Sequence, residues 1–233
     1  MARRRTRGCG IALLVVVILL VVGAVVADRA LDKYAEDRVA TQLAGIFRTQ
    51  QRPAVDITGI PFLTQYAAGT FDRITVQGGS AELAYEQRTL QLNRYDLALA
   101  EVSQAGSGYR VHRLDGTVEL SYAGLSDLTR LPISYGGTSA DGRGMIRAAM
   151  SADVYGRRGD VVATGVPSID PATQRLQLDD VRVTVDGANI PVNLAQFGVT
   201  LPTLQLPHGL TATSLTVTES GATVGISGAD VTV

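Results

Sequence analysis

Few residues in this chain are equipped for chemistry. Its two histidines, His112 and His208, stand far apart with no acidic residue beside them, and Cys9 is the only cysteine. No His-Glu-x-x-His pair and no Cys/His cluster is present to hold zinc. A hydrolytic serine needs a base and an orienting acid, and no Gly-x-Ser-x-Gly elbow occurs. The Gly78-Gly79 and Gly136-Gly137 pairs lack the surroundings of a phosphate loop and read as turns. Asp179 and Asp180 are adjacent, so on a strand their carboxylates point to opposite faces and cannot form a simple acid–base pair. Asp141 and Asp186 lie near glycines without the ligand spacing of a calcium loop. The chain reads as a non-enzyme that needs no metal or cofactor.

What remains is binding chemistry. Ile60, Phe62, Leu63 and Tyr66 crowd into one short segment around Pro61 and ahead of Gly69. Such a segment could plug the end of a core. It could instead line the mouth of an apolar pocket, where each buried CH₂ of an acyl chain contributes about 0.8 kcal/mol. Arg73, Arg157 and Arg158 are the candidates for a phosphate headgroup, set against the plainer reading of solvent-facing strand and turn arginines.

The elements that would position these residues follow from periodicity. Leu31, Ala35, Val39, Leu43 and Phe47 recur every four residues and predict a helix over Asp28–Thr49, with Asp32, Lys33, Glu36, Asp37 and Arg38 on its polar face. Pro53–Gly59 reads as a strand. Pro61 begins a short helix at Phe62, which Gly69 ends. Phe71–Gln77 reads as the next strand. Alternating Leu90, Leu92, Leu97 and Leu99 predict a long strand, or one interrupted near Arg94. Tyr109, Val111 and Arg113 predict another. Leu125, Leu128 and Leu131 suit a helical turn that Pro132 stops. Ser134–Gly144 reads as a loop or hairpin connection, the stretch after Met145 as a strand, Arg157–Asp160 as a turn, and Val161–Val166 as a strand. The phase of alternation shifts at Asp179–Asp180, the mark of a bulge. Ala188–Leu206 carries prolines and reads as a crossing segment. Strand character returns over Leu210–Glu219, Ala222–Ser227 and Ala229–Val233. The sum is an α+β domain with a large antiparallel sheet.

The chain begins differently. Gly8–Ala27 holds twenty residues without a charge, and Arg3, Arg4, Arg5 and Arg7 precede it. Twenty helical residues span about 30 Å, the thickness of a bilayer's hydrocarbon core. The arginines would keep the N-terminus in the cytoplasm. This predicts residues 1–7 as a basic cytoplasmic region and 8–27 as a transmembrane signal anchor or uncleaved signal peptide. Residues 28–233 would then form one extracytoplasmic domain, tethered to the cytoplasmic membrane by a single pass. Cleavage before Asp28 would release it instead. Without the four leading arginines, 17 basic residues face 22 acidic ones, a balance opposite to that of a nucleic-acid binder.

Several pieces together resemble the LmeA-like phospholipid-binding family of actinobacterial cell-envelope proteins. The first is Asp56-Ile57-Thr58-Gly59-Ile60-Pro61-Phe62-Leu63-Thr64-Gln65, followed by Gly69, Phe71, Ile74 and Val76. The second is Gly116-Thr117-Val118-Glu119-Leu120-Ser121-Tyr122 with Leu125. The third is Leu206-Pro207-His208-Gly209-Leu210, followed by Leu215, Val217, Gly221, Val224, Ile226 and Gly228. Members are similar to tubular lipid-binding domains. The resemblance therefore implies a long helix packed in a strongly curved, mostly antiparallel sheet that encloses an apolar channel. It also implies phospholipid binding or transfer at the outer face of the cytoplasmic membrane, in support of lipoglycan assembly. The lipid would be anionic or inositol-containing. On this reading Ile60, Phe62, Leu63 and Tyr66 contact acyl chains and Arg73, Arg157 and Arg158 the headgroup. The rival is a membrane-tethered structural or adaptor domain, with a packed interior and an envelope-assembly protein as partner.

Overall fold

The computed structural model describes the backbone of residues 6–46, 48–49, 51–59, 61–85, 88–106, 108–154, 157–170, 172–190, 206 and 208–232, and most side chains from Val17 onward. The first element is a single helix, α1 (Thr6–Ile46). Then come β1 (Ala54–Thr58), a short helix α2 (Phe62–Ala68), β2 (Thr70–Gly78), β3 (Ala81–Tyr85), β4 (Arg88–Ala105) and β5 (Gly108–Leu120). Helix α3 (Tyr122–Thr129) leads to β6 (Ile133–Thr138), β7 (Gly144–Val154), β8 (Arg157–Asp170), β9 (Arg175–Val185) and β10 (Ala188–Ile190). β11 (Leu210–Val217) and β12 (Ala222–Thr232) complete the described chain.

The strands form two open antiparallel sheets. The first has the order β1-β2-β4-β5-β12-β11, with β3 also paired to β4; the second runs β10-β9-β8-β7-β6. This corrects the expected architecture. Among the described residues neither sheet closes, α1 lies along β1 instead of being wrapped, and no channel is enclosed. The strands of a closed sheet would all be hydrogen-bonded to two neighbours, whereas β1, β11, β10 and β6 are edges.

The N-terminal expectation is corrected too. Among the described residues no helix is long and apolar enough to cross a membrane. The apolar run is not an element of its own, because α1 continues through Asp28, Arg29 and Asp32 without a break. Its described side chains, Val17–Ala27, are all exposed. The transmembrane anchor and the single-pass topology built on it therefore give way to one continuous helix whose later half docks on the domain.

Several local predictions correspond to elements. Ser121 caps α3, its Oγ accepting from the Gly124 N–H at 3.0 Å. Gly69 ends α2 in the left-handed conformation at φ 66°. The β4–β5 register slips between Leu92 and Arg94. The bulge expected at Asp179–Asp180 is present: β8 advances two residues from Thr164 to Val166 while β9 advances three, and Asp180 has φ 48°. Other readings change. Ile133–Thr138 is strand, not loop, and Arg157–Asp160 begins β8 instead of turning. β12 runs on through Gly228 because β5 pairs with it along its length. Most of Ala188–Leu206 lies outside the described residues.

The two sheets meet where β11 faces β7 and β8. A Cβ on Gly144 would lie 2.0 Å from the Val217 carbonyl oxygen, so only glycine permits this approach. Gln174, in the β8–β9 turn, then behaves like a strand partner. Its Oε1 accepts from the Ala212 N–H at 2.7 Å, and its Nε2 donates to the Ala212 carbonyl at 3.2 Å.

Candidate functional site

The antiparallel register of the first sheet lines up its apolar residues in rows. Ile57, Ile74, Leu99 and Leu114 form one. Val55, Val76, Leu97, Gly116 and Ile226 form the next, and Tyr95, Val118, Val224 and Leu215 a third. The opposite face carries polar rows such as Thr75, Ala98, Asp115 and Ser227. Strand alternation therefore makes one face of this sheet apolar and the other polar. The last turns of α1 cover its β1–β3 side, where Leu43 packs with Val76, Ala81, Leu92 and Tyr95. Toward β5, β12 and β11 the apolar residues Leu97, Leu99, Val118, Val224, Ile226 and Leu215 stay half-buried.

At one end the rows pass a crease. Phe71, Val102, Val111 and Val231 pair across four strands and cluster with Leu114, Ile74 and Leu99. Two outward residues separate each from the next inward one, as His112 and Arg113, both exposed, separate buried Val111 from Leu114. The left-handed φ of Glu101 (53°) and Asp230 (52°) resets the alternation on β4 and β12. His112 Nδ1 lies 2.8 Å from Asp230 Oδ1 on the outer side. The apolar face thus runs from Val111 to Leu120 along β5, about 30 Å.

Helix α2 covers the crease end. Phe62 is 3% exposed and packs against Phe71 (centroids 6.2 Å apart) and Tyr66 (6.1 Å). Leu63 and Tyr66 remain 39% and 66% exposed. Pro61 precedes α2 and supplies no side-chain cap. The cap comes from α1: Asp28 Oδ2 accepts from the Phe62 N–H at 3.0 Å and Oδ1 from the Leu63 N–H at 2.8 Å. Two turns on, Glu36 Oε1 accepts from the Ile57 N–H of edge strand β1 at 2.9 Å. Between them Asp32 is buried, with Arg29 Nη1 3.6 Å from Oδ2 and, among the described residues, no hydrogen-bond partner on Oδ1. Burial raises the Asp32 carboxyl above its ordinary value, Asp28 and Asp56 add to this, and Arg29 opposes it. Burial also raises Glu36, against the Ile57 hydrogen bond. The docked face of α1 is therefore Asp28, Asp32, Glu36 and Ala40, spaced by four, while Leu31 and Tyr34 of the expected apolar side are exposed.

The structure thus brings Phe62, Leu63 and Tyr66 together on α2, Phe62 as core and the other two at the surface. Ile60 lies outside the described residues. Arg73 is exposed on the polar face of the first sheet, while Arg157 and Arg158 begin β8 in the second sheet, with side chains outside those described. Sequence reading missed the half-buried rows of β4, β5 and β12 as a site, although the alternation that builds them was visible. It also missed the carboxylates of α1. Their spacing of four, unfavourable for like charges on an isolated helix, was the available signal. Among the described residues no group of three or more His, Cys, Asp or Glu is placed to hold a metal.

Among the described residues, then, the first sheet is open and amphipathic, with an apolar face that α1 and α2 cover in part. Residues 26–226 match the family model described as LmeA-like phospholipid-binding, and the chain belongs to that family. No curated protein and no solved structure matches it.

Proposed function

We propose that the protein binds a phospholipid along the apolar face of its first sheet and transfers it at a membrane surface of the cell envelope, without catalysing a reaction. The observation that carries this is the half-covered face of β4, β5, β12 and β11, some 30 Å long and bounded by α2. An acyl chain laid on it replaces water on Leu97, Leu99, Val118 and Ile226 and contributes about 0.8 kcal/mol per CH₂ buried. Leu63 and Tyr66 extend the apolar surface outward from the crease, where lipid tails would enter from a bilayer. Lipoglycan assembly is a process that such a carrier would supply.

The test is native mass spectrometry of the full chain, followed by extraction of lipid from phosphatidylglycerol vesicles. Co-purified or extracted phospholipid at one per chain is expected. Leu63→Asp with Tyr66→Asp should lower the extraction rate at least fivefold at unchanged thermal stability, since both side chains are exposed. A wild-type chain that carries and extracts no lipid overturns the reading.

A further inference from the structure

Helix α2 is fixed at one end and held from outside at the other. Its C-terminal end is tied to the sheet. The Gly69 carbonyl accepts from the Gln104 N–H at 2.9 Å, and Gln65 Oε1 accepts from the Asp72 N–H at 2.8 Å. Its N-terminal end follows Pro61, and its first two N–H groups are met by Asp28 of α1. Phe62 is its one buried residue, seated against Phe71. We propose that α1 and α2 form a latch over the crease, in which the Asp28–Glu36 stretch of α1 clasps the free end of α2 and the edge of β1 together, and the charge on Asp32 sets how firmly the clasp holds. The latch belongs to the fold, whatever the apolar face carries.

Three observations support the assignment. First, this stretch of α1 docks through polar groups. Asp28 and Asp32 are buried and Glu36 is half-buried, while Leu31 and Tyr34 are exposed. Two carboxylates hold it by accepting backbone N–H groups, Asp28 from α2 and Glu36 from Ile57 of β1. Further along, α1 is anchored differently, by Leu43 among Val76, Ala81, Leu92 and Tyr95. The clasp can therefore open while the apolar anchor stays. Second, Asp32 lies between the two clasping carboxylates, 6% exposed, its Oδ1 without a hydrogen-bond partner among the described residues. The groups facing it are Arg29, Asp28 and Glu36 on α1 and Asp56 on β1; the α2 segment holds no charged residue and only Tyr66 as a titratable one. One guanidinium among these carboxylates leaves an ionised, desolvated Asp32 working against docking. Burial raises its carboxyl, so its contribution to docking is complete below 3.8 and is lost as pH rises through the raised folded value. Third, α2 is flanked by glycines at positive φ, Gly59 at 133° and Gly69 at 66°, where the backbone turns with least hindrance.

The experiment is native-state hydrogen exchange of the full chain, read at the Ile57, Phe62 and Leu63 amides against Val111 in the middle of the first sheet. At pH 7 the three should share one opening, at least tenfold more frequent than that of Val111 and unaffected by dilute urea. Asp32→Asn should slow all three by a common factor, at least threefold, at pH 7. It should leave them unchanged at pH 3, where wild-type Asp32 carries its proton. Asp28→Ala should speed Ile57 along with Phe62 and Leu63, although the Ile57 acceptor is Glu36. The same variant should at least double the fluorescence of added anilinonaphthalene sulfonate, because Phe71 and its cluster become accessible. Lys33→Gln, exposed on the same helix, should change none of these.

Exchange of the three amides only together with Val111 overturns the latch, since no separate opening then exists. In Asp28→Ala, faster exchange at Phe62 and Leu63 with Ile57 unmoved overturns the single clasp in favour of two independent caps. An effect of Asp32→Asn that persists at pH 3, or is missing at pH 7, overturns the role of its charge. Faster exchange in Asp28→Ala without added dye fluorescence overturns the covering of the crease. Should Asp28→Ala fail to fold, Asp28→Asn, which keeps one carbonyl acceptor, carries the same comparison.

Discussion

Asp28 shows how one side chain can decide local structure. Helix α2 begins at a proline-led corner with no side-chain cap of its own, and its first N–H groups would be unsatisfied. A carboxylate from a helix more than thirty residues earlier accepts two of them. Asp28→Ala removes two charge-assisted bonds and leaves buried donors behind, at a cost of about 2 kcal/mol. A lower urea midpoint, with faster hydrogen exchange at Phe62 and Leu63, is the expected result. Asp32 works in the opposite sense. Burial raises its carboxyl, so the folded state prefers it protonated. The stability it contributes is complete below the ordinary value of 3.8 and is lost as pH rises through the raised folded value. Asp32→Asn should therefore raise the melting temperature at pH 7 and leave it unchanged at pH 3. Thermal melts at the two pH values check this.

Among the elements, the join between the sheets depends on a side chain acting as backbone. β11 is an edge strand, and an edge must be covered or paired. Gln174 does this at Ala212, which is fully buried. Gln174→Ala should expose that N–H to exchange and lower stability by about 1–3 kcal/mol. Hydrogen exchange should change at Ala212 and much less at Val111, in the middle of the first sheet. The tip of the β6–β7 hairpin is tied down differently, by Arg143, whose guanidinium reaches Asp141 on its own hairpin and Asp179 and Asp180 at the β9 bulge. The Ser139 and Arg143 hydrogen bonds hold the Asp141 carboxyl below its ordinary range. The bulge that sequence alternation revealed is thus also where two hairpins are connected.

For the whole molecule, the two ends of the apolar face differ in kind. Aromatic α2 covers one, and the other runs up to a pocket lined by Arg48, Gln51, Ser80 and Asn93. A phospholipid has the same polarity along its length. The lipid-extraction experiment described above tests that match. The crease fits the same plan, since resetting the alternation on β2, β4, β5 and β12 keeps Phe71, Val102, Val111 and Val231 on the apolar side beneath α2.

Periodicity alone determined much of this protein. Alternation in Leu90, Leu92, Leu97 and Leu99 predicted a long strand of an antiparallel sheet, Gly69 marked a helix end, and the phase slip at Asp179–Asp180 marked a bulge. These signals are local, because each depends on a residue and its near neighbours along the chain. The family block from Asp56 to Gln65 was legible in the same way, and its parts have local duties. Gly59 has φ 133° and a Cβ there would meet Gln65 at 2.2 Å, while Gln65 Oε1 accepts from the Asp72 N–H. Only the tertiary structure decided that the sheets stay open, that α1 docks through Asp28, Asp32 and Glu36 instead of Leu31, and that Arg48 lines the pocket at the end of the apolar face. Each of these depends on partners far away in sequence. A carboxylate counts as solvent-facing until a distant N–H is placed against it, and an edge strand looks like an inner one until its neighbours are known.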